Sequence, residues 1–102
     1  MITQYWKVDP EKPELTTITR AAALIKDLQL VAFPTETVYG LGALASSSEA
    51  VAKIFVAKGR PAENPLLVHV SKIEQVKELV GDIPETARML MDRFWPGPLS
   101  II

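Results

Sequence analysis

A chain of 102 residues, 48% apolar and 23% charged, has the size and make-up of one globular domain or part of one. Eleven basic residues against twelve acidic ones give a net charge of −1, which excludes a global electrostatic footprint for indiscriminate binding to nucleic acid or an anionic membrane. Without cysteine there is no disulfide, thiolate nucleophile or zinc–thiolate site, a composition that suits a reducing, cytoplasmic setting.

The opening MITQYWKV lacks the basic and apolar halves of a signal peptide, and no apolar run reaches the ~18 residues of a membrane span. ITRAAALIKDL then predicts a helix with Ile18, Ala21, Ala22, Ile25 and Leu28 on one face and Arg20, Lys26 and Asp27 on the other. LVAF, closed by Pro34, predicts a short buried strand. Ser46 followed by Glu49 predicts a capping box for a second helix, striped by Val51, Ile54 and Phe55 and stopped by Gly59. LLVHV predicts another strand, and Ser71 with Glu74 a cap for a short helix carrying Ile73, Val76, Leu79 and Val80. A fourth helix opens at DIPE with Pro84 in its first turn, carries Ala87, Leu90, Met91 and Phe94, and breaks at WPGP. The last residues, GPLSII, read as a strand just beginning, so the pattern predicts a domain that is incomplete in this chain. Helices alternating with short apolar strands predict the α/β class, with helices packed on a twisted mixed sheet.

Four features bear on chemistry. GLGALA, residues 40–45, matches the dinucleotide pattern G-x-G-x-x-A literally. That fingerprint needs its glycines at the strand-to-helix turn, where a pyrophosphate meets the helix N-terminus, and here PTETVY separates them from the preceding strand. In FPTETVYGLG, an extended backbone would put Thr35, Thr37 and Tyr39 on one wall, offering donors and acceptors to a zwitterion or a sugar. The competing reading is a polar loop that bonds to its own backbone. In KGRPAENP, Lys58 and Arg60 follow a helix, where cations are favoured by the macrodipole. Extended backbone would instead project them to one side as a cationic clamp for phosphate, with the Asn64 amide beside them; phosphate binding and a plain helix stop both fit. His69, the single histidine, shares a predicted strand face with Leu67 and Ser71, either as a packed core residue or as a group facing a ligand. No cluster of acids or histidines predicts a protein-built metal site.

Taken in order, FPTETVYGLG, KIFVAKGRPAENPLLVHV and FWPGPLS resemble the N-terminal half of the YrdC-like domain, the catalytic domain of threonylcarbamoyl-AMP synthases, from about Thr16 to the last residue. The resemblance implies an enzyme, a nucleotidyltransferase that makes threonylcarbamoyl-AMP and pyrophosphate from L-threonine, bicarbonate or CO2, and ATP. Partner proteins would then use the product to build threonylcarbamoyladenosine in tRNA. The family's K-x-R motif falls on Lys58 and Arg60, which would face the ATP phosphates; Asn64 falls on a nucleotide-contacting position. Thr37 and His69 fall on positions that hold threonine, with Thr35 and Tyr39 lining the same pocket. Magnesium would travel with ATP. Residues 1–102 would be the N-terminal part of the domain. The S-x-N motif of its second half is absent here, and the isolated piece is expected to be inactive. Ser100 stands where the family commonly has threonine. The alternative is a double-stranded RNA or tRNA-binding module without catalysis, since members of the family have been linked to such RNA. A third reading, a hydrogenase-maturation carbamoyltransferase, would require modules ahead of Met1.

Overall fold

The computed structural model describes residues 2–61 and 65–102, in two compact units that divide between residues 64 and 65. In the first unit the elements are helix α1 (Leu15–Lys26), strands β1 (Val31–Phe33) and β2 (Gly40–Gly42), and helix α2 (Ser48–Lys58). The second contains a 3-10 turn (Ile73–Gln75) that leads into α3 (Val76–Leu79), and then α4 (Glu85–Phe94). The α/β class expected from the sequence holds, and the sheet among the described residues is a two-stranded antiparallel pair.

The segment before α1 is tied to it. Asp9 Oδ1 accepts from the backbone N–H groups of Glu11 (2.9 Å) and Lys12 (3.2 Å), a local turn of the kind aspartate favours. The Arg20 guanidinium lies 4.3 Å from the centroid of the Trp6 ring, a cation–π contact. α1 begins at Leu15, ahead of the predicted Ile18, and half-buries Thr17, Ala21, Leu24, Ile25 and Leu28. Ile18 and Ala22 are exposed, so the inward stripe is rotated from the predicted one. Both stripes obey the three-to-four spacing of a helix; only packing selects between them.

The end of α1 is closed by backbone. Gln29 N–H donates to the Leu24 carbonyl (2.9 Å) and Leu28 N–H to that of Ile25 (3.1 Å), the two bonds of a Schellman motif. The motif puts Leu28 at φ 60°, where a side chain with a Cβ is disfavoured by roughly 1–2 kcal/mol. Two features offset this. The Leu28 side chain is half-buried, and its carbonyl accepts from Lys53 Nζ on α2 at 2.7 Å.

β1 lies against α1 and pairs with β2 in the register Val31↔Gly42, Ala32↔Leu41, Phe33↔Gly40. The predicted buried strand is present but shorter and only half-buried: Val31 and Phe33 face inward and Ala32 outward. Gly40 and Gly42 share one face of β2, and the Phe33 ring covers both. A β carbon on Gly42 would fall 2.7 Å from Phe33 Cε1, and one on Gly40 would fall 3.3 Å from the same ring. The glycines of GLGALA are therefore strand residues that make room for an aromatic ring, with α2 starting only at Ser48.

α2 is capped by Ser47, whose Oγ accepts from Ala50 N–H at 3.1 Å, in place of the predicted Ser46. Ala50 and Ile54, one turn apart, are its buried residues. In the second unit the buried residues are Val76 and Met91. Gln75 Oε1, rather than the predicted Glu74, takes the backbone N–H groups of Ser71 (2.8 Å) and Lys72 (3.1 Å). α4 follows Pro84 and buries Met91, while Phe94 of the predicted stripe is about half exposed and Leu90 is partly exposed. The two expected strands at 66–70 and at the final apolar run do not form. A strand exists by exchanging hydrogen bonds with a neighbour, and among the described residues neither segment has such a partner.

Gly42→Ala is expected to lower stability by about 1–3 kcal/mol, because Phe33 must leave its place. Urea unfolding should show the loss as a lower midpoint, and an unshifted midpoint would refute the steric role. In the same assay Lys53→Met should lose about 1–2 kcal/mol by leaving the Leu28 carbonyl without its donor.

Candidate functional site

The hydroxyl-rich segment is the loop of the β1–β2 hairpin, residues 34–39. It bends at 36–38 rather than running extended, so two-residue alternation does not align Thr35, Thr37 and Tyr39. Thr35 Oγ1 accepts from Thr37 N–H at 3.3 Å and donates to the Val38 carbonyl. The self-bonded polar loop is thus realised at Thr35, while Thr37 and Tyr39 are exposed, Tyr39 at 78%. Glu36, at the bend, is exposed as well.

Lys58 is the last residue of α2 and Arg60 follows Gly59, which sits at φ 62°. Gly59 N–H donates to the Val56 carbonyl (3.2 Å) and Arg60 N–H to that of Phe55 (3.0 Å), a second Schellman closure. The two cations therefore flank a left-handed turn instead of alternating along an extended strand. The Arg60 backbone is held by this hydrogen bond back into the helix, just before Pro61. Both side chains are exposed at a helix C-terminus, where positive charge is favoured and an anion can reach it. Asn64 lies outside the described residues.

His69 belongs to the second unit and is exposed. Leu66 and Val70 are half-buried while Leu67, His69 and Ser71 are exposed, so most of the predicted alternation survives without a strand ladder. Among the described residues no three of His, Cys, Asp or Glu gather as metal ligands, and no helix is long and apolar enough to cross a membrane.

Sequence reasoning missed Lys53. Its signal was a lysine between two helix-stripe positions, Val51 and Ile54, which reads on its own as a solvated charge. Its carbonyl partner lies 25 residues away, beyond the reach of any local pattern.

The profile of the Sua5/YciO/YrdC family, described as telomere recombination, matches residues 23–102. The chain belongs to this family. Every residue singled out above, from Thr35 to His69, lies within the stretch that matches the Sua5/YciO/YrdC profile. Threonylcarbamoyl-AMP synthase of Bacillus subtilis is 54% identical over 106 residues, covering all of this chain and 30% of that protein. The synthase of Pyrococcus abyssi is 55% identical over 92 residues, covering 90% of this chain and 27% of that one. The chain therefore spans about 30% of the length of the curated relatives it matches. Among solved structures, a variant of P. abyssi Sua5 aligns with a TM-score of 0.82 at 56% identity over 85% of this chain and 27% of its own. P. abyssi Sua5 complexed with L-threonine aligns with a TM-score of 0.81 at 56% identity, over 84% of this chain and 25% of its own.

Proposed function

We propose that this chain is the N-terminal part of the YrdC-like domain of a threonylcarbamoyl-AMP synthase. The observation that carries the reading is its likeness, at 56% identity and a TM-score of 0.81, to a protein solved with L-threonine. ATP and bicarbonate or CO2 are the other substrates in this reading. The product would pass to tRNA-modifying partner proteins in the cytoplasm.

The chemistry divides into two steps. The deprotonated amine of L-threonine attacks CO2, giving a carbamate. A carbamate oxygen then attacks the α-phosphorus of ATP, a new P–O bond forms, and the bond to the bridging oxygen breaks, so pyrophosphate leaves. Carbamate and triphosphate are both anionic. Catalysis therefore rests on offsetting their repulsion and stabilising charge on the leaving group. Lys58 and Arg60 serve that end, one as a mobile point charge and the other as a planar fork of donors. Asn64 contacts the nucleotide. Thr37 and His69 contact the amino acid, with Thr35 and Tyr39 on the loop that carries Thr37. Magnesium arrives on the phosphates of ATP as part of the substrate. No side-chain nucleophile is required, which agrees with a chain that has no cysteine.

A chimaera tests this reading. Residues 1–102 replace the matching segment of the B. subtilis synthase, and pyrophosphate release from ATP is measured. Release should require both L-threonine and bicarbonate, and a folded but inactive chimaera would reject the reading. Arg60→Ala should lower the rate by ~10²–10³ with an unchanged circular dichroism spectrum; full activity in that variant would remove Arg60 from the machinery.

A further inference from the structure

The loop 34–39 carries three hydroxyls, and they are not equivalent. The Thr35 hydroxyl proton is directed at the Val38 carbonyl, and its oxygen accepts from Thr37 N–H at 3.3 Å. Its methyl lies beside the first residue of β2: a β carbon on Gly40 would sit 3.6 Å from Thr35 Cγ2. Both branches of the side chain thus face the hairpin's own backbone. A threonine hydroxyl has one proton to give, and here it is committed.

We propose that Thr35 is a positioning residue: its hydroxyl pins the hairpin loop from within, so that Thr37 is presented to the amino-acid substrate in a preformed conformation, and Thr35 itself does not touch that substrate. The role given to Thr37 rests on the function proposed above, whereas the pinning of the loop does not. The physical basis is pre-organisation. A loop that populates its competent conformer only in part binds more weakly by that fraction, with no contact to the ligand altered. This replaces the expectation that Thr35 lines the pocket wall beside Thr37 and Tyr39.

Two substitutions separate the hydroxyl from the methyl. Thr35→Val keeps the shape and loses both hydrogen bonds; Thr35→Ser keeps the bonds and loses the methyl. In the 102-residue chain, amide hydrogen exchange at Thr37, followed by NMR, should speed up about tenfold in Thr35→Val and stay within about twofold of the parent in Thr35→Ser. In the chimaera, Thr35→Val should raise the KM for L-threonine about tenfold while kcat at saturating threonine is retained, and Thr35→Ser should restore KM. Unchanged exchange at Thr37 in Thr35→Val overturns the proposal, as does a Thr35→Ser variant as impaired as Thr35→Val. A loss in kcat with KM unchanged also overturns it, because it would mark direct contact with the reacting groups. If the chimaera lacks threonine-dependent turnover while exchange responds as expected, the function proposed for Thr37 fails and the pinning role of Thr35 stands.

Discussion

The contact between the Phe33 ring and the two glycines of β2 is the constraint on which the first unit turns. Phe33 stands directly opposite Gly40 in the register and diagonal to Gly42, and both glycines lie on the face that the ring covers. A two-stranded hairpin is marginal in water and needs a packed face or a helix against it. Here β1 has α1 on it, and the aromatic ring fills the space that the missing side chains of β2 leave. That contact also specifies the pairing, since a slip of one residue would move Phe33 off the glycine face. The loop between the strands, residues 34–39, inherits its two ends from this register.

Two helix ends show how the chain makes sharp turns by different means. α2 ends on Gly59, the residue best suited to a positive φ, and its closure leaves Lys58 and Arg60 on either side of the turn. α1 ends with the same pair of backbone bonds but on Leu28, a residue the left-handed region disfavours. Tertiary contacts hold it there: the leucine side chain is half-buried and Lys53 reaches its carbonyl. Lys53 sits in α2, so one ammonium group ties that helix to the strained turn that ends α1. The body of the helix that ends in the paired cations is thereby held to the unit, while its last turn is free to face solvent.

In the proposed reading, the candidate residues are groups that suit different parts of one anionic reaction. Positive charge at a helix end suits a polyphosphate, and an exposed, hydroxyl-bearing loop suits a small zwitterion. The motifs around both match one family over most of the chain, which is why the same residues are ambiguous singly and informative together. Lys58 alone is explained by the helix macrodipole. Thr35 alone is explained by its turn. Their co-occurrence, in a single order, with the rest of KIFVAKGRPAENPLLVHV adds to the functional reading.

Much of the fold was legible in the sequence because it rests on local rules. Helix periodicity placed α1, α2 and α4, glycine stopped α2, and proline set the start of α4 and the end of β1. The family was legible too, in motifs whose residue types and order survive as text. Tertiary structure decided which of two equally periodic stripes of α1 turns inward, because a stripe is buried only by what packs on it. It decided that LLVHV is not a strand, because a ladder is a property of two segments and not of one. It also gave Thr35 to the loop backbone and Lys53 to a carbonyl 25 residues away. Hydrogen-bond partners are chosen by proximity in space, and the order of residues along the chain does not encode proximity between distant ones.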